Sequence, residues 1–305
     1  MIDILSKRYL YFLLSLIVII PGLIFLAIDG LPLSIDFTGG SLLEVQFEEG
    51  KSLTTADIVS LYEDAGIGDA QVTTTETGTL VIRSSFLTNE VRDLILTAMN
   101  ETVGSQVNVI QFDSVGPSIG AQVASRAALA VGVAALGVII YITLAFRKVQ
   151  NAFRYGICAI IAMVHDVAVV FSVAGIGARF FDWQMDALFL TALLTVIGFS
   201  VQDKVVVFDR IRENANLLRK LEYEKLVNHS IVQTLQRSIN TQLMTVEFLL
   251  LALALFGGVT LQEFAVILLV GLLSGTYSSI FVAAPILVLW EKREWQTWFG
   301  RGANA

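Results

Sequence analysis

The chain has 305 residues, 55% of them hydrophobic and only 15% charged, with a mean hydropathy of +0.72 and a formal net charge of −7. Soluble domains carry about 25% charged residues, so this balance argues against a soluble globular enzyme, and the acidic excess argues against a nucleic-acid binder. A lone Cys158 excludes an intrachain disulfide framework and a Cys-rich metal site.

Six apolar stretches are long enough to cross a bilayer, which takes about 20 helical residues. They run Tyr9–Ile28, Ala127–Phe146, Tyr155–Gly177, Ala187–Phe208, Thr241–Gly258 and Phe264–Trp290. The first is too long for a signal-peptide core, and Leu26-Ala27-Ile28-Asp29 is a poor cleavage site, so it reads as a retained helix. Basic residues near the span ends gather on one side: Lys7 and Arg8; Arg147, Lys148 and Arg154; Arg210, Arg212, Arg219, Lys220 and Lys225; Lys292, Arg293 and Arg301. The positive-inside rule makes that side, with both termini, cytoplasmic. The divisions are then residues 1–28 (N-terminus and first span), 29–120 (external domain), 121–209 (spans two to four), 210–240 (a charged, helical cytoplasmic segment), 241–290 (spans five and six) and 291–305 (a cytoplasmic tail).

The external segment 29–120 holds 14 acids against Lys51, Arg83 and Arg92, a net −11, which leaves the rest of the chain at +4. Its patterning predicts a strand over Ser41–Phe47, a helix over Thr55–Ala65, strands over Gln71–Thr75 and Thr79–Arg83 joined at Thr77-Gly78, a helix over Asn89–Met99 and a strand over Gln106–Val115. The order β-α-β-β-α-β is that of a ferredoxin-like fold. The expected class is therefore a polytopic α-helical membrane protein of six transmembrane helices, with one ferredoxin-like α+β domain between helices one and two.

Ionisable side chains inside spans are expensive and face the bundle interior or water. Span three carries His165 and Asp166, span four Asp203 and Lys204, and the fifth-span region Arg237 and Glu247. Thr191, Thr195, Gly198 and Gln202 follow one helical face of span four, and Gln236, Asn240, Leu243 and Glu247 follow one of span five, with Arg237 and Thr241 beside it. Arg237 and Lys204 are long enough to snorkel to the interface; the short Asp203 side chain is not. Burial and a nearby arginine act in opposite senses on a carboxylate's proton affinity, which suits Asp203 to carrying a proton worth about 2.3 kcal/mol per 100 mV of membrane potential. A purely structural ion pair remains the alternative. His165 and His229, divided by hydrophobic sequence, argue against a metal site.

Four stretches in register resemble one family. Ile35-Asp36-Phe37-Thr38-Gly39-Gly40, Val115-Gly116-Pro117-Ser118-Ile119-Gly120, the run Gly198–Asn214 around Gln202-Asp203-Lys204, and Arg237–Thr241 leading to Gly257-Gly258 are similar to segments of SecF-type members of the SecD/SecF family, within the RND superfamily. Asp36, Gly39, Gly40, Gly116 and Pro117 enter as structural positions, where turn geometry is a sufficient role. The resemblance implies a subunit that assists Sec-dependent export across a prokaryotic cytoplasmic membrane using the proton motive force. It also implies a SecD-type partner, contact with the Sec translocon, an insertase and the unfolded polypeptide in transit, no bound cofactor, and protons as the coupling ion. It places proton passage at Asp203 and Arg237, with Gln202, Lys204, Asp166, Asn240, Thr241 and Glu247 in support. A scaffold that moves no protons and an RND-type exporter of lipids or small molecules are the competing readings. The chain departs from the family where Asn-Asp-Thr is common and Gln202-Asp203-Lys204 stands, and at Glu247, where the family is usually apolar. Two pairings are expected from these departures: Lys204 with Glu247, or Lys204 with Asp203.

Overall fold

The computed structural model describes residues 3–48, 51–74, 78–147, 152–242, 248–256 and 259–294. They form two compact units, Leu33–Leu129 and a helical unit made of the flanking chain.

In the first unit a one-turn helix α2 (Ile35–Thr38) leads into β1 (Gly40–Gln46), followed by α3 (Thr55–Asp64), β2 (Gln71–Thr74), β3 (Leu80–Ser84), α4 (Asn89–Val103) and β4 (Asn108–Val115). The sheet order is β2-β3-β1-β4, every neighbour antiparallel, with Leu43 opposite Ile82 on one side and Phe112 on the other. Strand alternation turns Ser41, Leu43 and Val45 of β1 inward together with Leu80 and Ile82 of β3. They meet Ile58 and Tyr62 of α3 and Ile95 and Met99 of α4, pairs spaced one helical turn apart. Thr54 and Asp57 close a reciprocal capping box at the start of α3. The helix expected to end at Met99 runs on to Val103, because its last apolar positions still fall over the sheet. Thr75 and Thr77 of the expected hairpin lie outside the described residues.

The motifs Asp36–Gly40 and Gly116–Gly120 pack against each other. Gly39 (φ +74°) and Gly40 (φ +129°) take backbone conformations that L side chains rarely adopt. A Cβ on Gly39 would lie 2.7 Å from the Pro117 Cα, one on Gly40 2.7 Å from the Ser84 carbonyl oxygen, and one on Gly120 2.5 Å from the Gly39 nitrogen. The Gly116 carbonyl accepts from the Ile119 and Gly120 N–H groups, starting the helix that follows at Pro117. Asp36 sits in the first turn of α2, its N–H donating to the Ser34 hydroxyl.

The helical unit contains α1 (Arg8–Asp29), most of α5 (Pro117–Phe146), α6 (Ala152–Phe181), α7 (Ala187–Leu217), α8 (Tyr223–Gln242), α9 (Phe248–Phe256), α10 (Val259–Ser278), a π-helical turn Ser279–Ala283 and α11 (Ala284–Lys292). Five segments among the described residues are long and apolar enough to cross a membrane: Leu5–Asp29, Pro117–Phe146, Ala152–Phe181, Ala187–Leu217 and Leu261–Lys292. The expected span Thr241–Gly258 falls partly outside the described residues. At about 1.5 Å per residue, α7 is longer than a hydrocarbon core of about 30 Å, so it continues beyond the apolar layer without a break.

Helices α1 and α6 touch backbone to backbone. A Cβ on Gly22 would lie 1.9 Å from the Ser172 carbonyl oxygen, and one on Gly175 2.5 Å from the Gly22 carbonyl oxygen. Small residues permit this approach where no hydrophobic driving force separates protein from lipid. Pro21 removes one donor from α1, and one residue further on from the carbonyl it leaves free, Ser172 donates to the Val18 carbonyl at 2.7 Å.

Where α1 begins and α11 ends, Arg8 bridges Glu224 of α8 at 2.8 Å and Glu294 at 2.7 Å, while Lys292 pairs with Glu222 and Glu224. The Lys292 ammonium, seconded by the Arg8 guanidinium, holds the Glu224 carboxyl below the usual carboxylate range.

Gly175→Leu should separate α1 from α6 and lower thermal stability by about 1–3 kcal/mol, the range for overpacking; an unchanged melting temperature would contradict the close crossing. Because the folded Glu224 carboxyl titrates below its unfolded value, its contribution is fully present above the unfolded pKa and is lost as pH falls through the folded one. Glu224→Gln should therefore cost up to about 1 kcal/mol near neutral pH, and the difference from wild type should vanish in acid, as read by melting curves across pH.

Candidate functional site

The apolar core of the helical unit encloses a cluster of polar side chains on α6, α7 and α10. Asp166 of α6, Ser200 and Lys204 of α7, and Ser274 and Ser278 of α10 are all buried, Asp166 and Lys204 to 0% exposure. The Asp166 Oδ2 atom accepts from the Lys204 ammonium (2.7 Å), the Ser200 hydroxyl (2.6 Å) and the Ser278 hydroxyl (2.7 Å). Its Oδ1 atom accepts from the Ser274 hydroxyl (2.7 Å) and faces the His165 Nδ1 at 3.1 Å. The Lys204 ammonium also donates to the Ser200 carbonyl (2.9 Å) and hydroxyl. An ammonium has three donors and a carboxylate about four acceptor sites, so each group is saturated.

Helical spacing places these residues. Ser200 and Lys204 are one turn apart on α7, and Ser274 and Ser278 one turn apart on α10, so each pair presents one face to Asp166. The π-helical turn begins at Ser279. Pro285 offers no N–H to a carbonyl one turn earlier, which favours this departure from α-geometry upstream of it, and such turns recur at functional sites. Tyr277 stacks on His165, with ring centroids 6.1 Å apart, and donates to the Tyr11 carbonyl.

Asp203 neighbours Lys204 in sequence but belongs to a different environment. It is 7% exposed and accepts from the Thr276 hydroxyl of α10 at 3.0 Å. Arg237 of α8 acts on its carboxylate through space, and among the described residues the two form no contact ion pair. Arg237 and Asn240 are exposed on α8, as is Thr241. Gln202 is exposed and lines a groove of about 590 Å³ with Ala134, Gly137, Val138 and Tyr141 of α5 and Gly198 of α7.

The residues singled out by sequence thus divide. Asp166 and Lys204 come together, Asp203 stands next to them, and Gln202, Arg237, Asn240 and Thr241 lie on outward faces. Of the two pairings expected for Lys204, the one with Asp203 gives way: among the described residues its ammonium is taken by Asp166, because the helix turn that carries Lys204 faces α6. Glu247 lies outside the described residues. Ser200, Ser274 and Ser278 escaped notice at the level of sequence; the only signal was their four-residue spacing in otherwise apolar helices.

Asp166→Asn should strand a buried ammonium and cost about 3–5 kcal/mol, and the neutral double variant Asp166→Asn with Lys204→Met should recover most of that loss. Melting temperatures of the purified chain decide; equal losses in the single and double variants would contradict the pairing.

Comparison with known proteins places this arrangement. Residues 95–293 match the family "Protein export membrane protein SecD/SecF, C-terminal", and residues 24–51, which include Gly39-Gly40, match the "SecD/SecF GG Motif". The chain is 68% identical to the protein translocase subunit SecF of Anaerolinea thermophila, over 100% of this chain and 99% of that protein. It is 46% identical to the SecF subunit of Thermobaculum terrenum, over 99% of this chain and 98% of that one. A crystal structure of SecDF from Thermus thermophilus, described as a translocon-associated membrane protein, matches with a TM-score of 0.79 at 31% identity and covers 96% of this chain and 39% of its own. Family models that span most of the chain, end-to-end relatives and a shared fold agree: the chain belongs to the SecD/SecF family of protein export membrane proteins, as a SecF-type subunit.

Proposed function

We propose that this SecF-type subunit helps protein export by passing protons at Asp203, with Arg237 as the neighbouring cation that responds to its charge. One observation carries the reading: of two buried carboxylates on adjoining helices, Asp166 is saturated by five partners, whereas Asp203 accepts from one hydroxyl among the described residues. A carboxylate held by a single hydroxyl has acceptor capacity to spare and can gain or lose a proton without dismantling a network. No cofactor enters the reading; the proton is the coupling ion.

The full organisation we infer has six spans, the fifth across residues 241–258, and both termini cytoplasmic, where the basic residues collect. The α/β unit, with strand order β2-β3-β1-β4, is read as a ferredoxin-like domain on the opposite side. The membrane is taken to be the prokaryotic cytoplasmic membrane. A SecD-type chain is the inferred partner, supported by the solved SecDF relative in which the matching region is 39% of a longer chain. The Sec translocon, an insertase and the polypeptide in transit are proposed contacts.

The exposure of Arg237 favours a second reading, a subunit that organises its partners and moves no protons. Asp203→Asn separates the two. On the first reading this isosteric change removes the gradient-dependent part of export stimulation in membrane vesicles while the complex still copurifies. Full stimulation by the variant would leave the scaffold.

A further inference from the structure

The Lys204 ammonium lies wholly buried on the Oδ2 side of Asp166, while His165 faces the other carboxylate oxygen. Around its Nζ lie the Asp166 Oδ2 at 2.7 Å, the Ser200 carbonyl oxygen at 2.9 Å and the Ser200 hydroxyl. A carboxylate, a backbone carbonyl and a hydroxyl converging on one point in an apolar bundle are the ligands with which proteins hold small hard cations. The Ser274 and Ser278 hydroxyls stand behind the carboxylate and fix its orientation, as outer partners do around an ion site. An ion in such a cage offsets a buried negative charge that would otherwise be intolerable. Here the ion is covalently attached.

We propose that the Lys204 ammonium is a resident counter-cation: it fills an oxygen cage that would otherwise bind a diffusible monovalent cation of ammonium size, and so withdraws Asp166 from ion exchange. The stem of Lys204 runs from α7, and the cage oxygens come from α6 and α7, with α10 behind them. The tethered charge therefore binds these helices together in every state in which it stays seated. The charged and titratable groups around it are Asp166 itself, His165 on α6, Asp203 one residue earlier on α7 and, at longer range, Arg237 on α8; Tyr277 of α10 stacks on His165. Among the described residues no other cation sits in the cage. The proposal deepens the reading above, since it leaves Asp203 as the carboxylate that exchanges a proton, but it is tested without any gradient.

Lys204→Ala removes the ammonium and most of its stem and leaves the oxygens in place. The purified full-length variant is melted in detergent with propylammonium chloride, against tetramethylammonium chloride at equal ionic strength and against propanol. The expected result is a lowered melting temperature that rises saturably, by roughly 4 °C or more, with propylammonium alone. Wild type, whose cage is filled, and the double variant Lys204→Ala with Asp166→Asn, whose cage has lost its charge, should not respond. Lys204→Met keeps the apolar stem and guards against a first variant that fails to assemble. It is titrated with ammonium chloride against choline chloride, and a saturable rise is expected. Absence of a saturable response in the assembled variant, or an equal response in wild type or in the double variant, overturns the proposal. Because the readout is melting in detergent, its failure leaves the export test of Asp203 standing, and failure of that test leaves the cage standing.

Discussion

A carboxylate and an ammonium buried among hydrocarbon side chains set the terms for the rest of the helical unit. Each ion would cost several kcal/mol if left unmet, so three helices must bring Ser200, Ser274 and Ser278 to within hydrogen-bond distance of Asp166 and hold them there. Hydroxyls reach only a short way from the backbone, which means that α6, α7 and α10 must lie close together. A Cβ on Gly275 would stand 3.3 Å from the Ser200 Cα, and one on Gly271 2.3 Å from a Val196 methyl. The missing side chains on α10 are the geometric condition for the polar cluster on α7 and α6.

The same logic runs outward to α1. Ser172, Gly175 and Gly22 let α1 approach α6 until a serine hydroxyl can reach a carbonyl of the neighbouring helix. Inside lipid such contacts are matters of shape and hydrogen bonding, since apolar surface gains nothing by moving from tail to helix. In the α/β unit water supplies the driving force instead, and there the ordinary pattern of inward Leu43, Val45, Ile82, Ile58 and Ile95 is enough to form a core.

That difference explains what could be read from the amino acids. Strand and helix positions in residues 40–115 followed from period-two and period-3.6 patterns, and five of the six expected spans followed from apolar length. The family was legible through four short motifs, two of which, at Gly39-Gly40 and Gly116–Gly120, turn out to be halves of one packed corner. The partner of Lys204 was not legible. A membrane helix is apolar on all sides, so its periodicity says little about which face meets which neighbour, and the expected pairings pointed to Asp203 and Glu247 rather than to Asp166, which the rotation of α7 brings to the ammonium. The serines that complete the cage carry no charge and no pattern beyond their spacing, and a reader of sequence has no reason to prefer them over Thr191 and Thr195, whose hydroxyls return to carbonyls of their own helix.

The outward polar residues follow a different rule. Thr191 and Thr195 satisfy themselves locally and can face lipid at little cost, but Gln202 and Arg237 cannot do so with carbonyls of their own turn as readily. At membrane depth, where Gln202 lies within the fourth expected span, such a side chain needs protein or water opposite it, whereas Arg237 and Asn240 lie on α8, outside the five apolar segments among the described residues. The described residues enclose the Asp166–Lys204 ion pair completely, yet leave Gln202, Arg237 and Asn240 on exposed faces, so the polar groups are divided between two duties. The enclosed pair fixes the packing of the bundle, and the outward set is left to meet water or the surface of further protein. The solved relative, in which the matching region is continuous with a further 61% of chain, has the additional protein from which such a surface can be built. Asp203 lies on the boundary between the two sets, beside the locked pair and within electrostatic reach of Arg237, where a change in its charge would be felt by both.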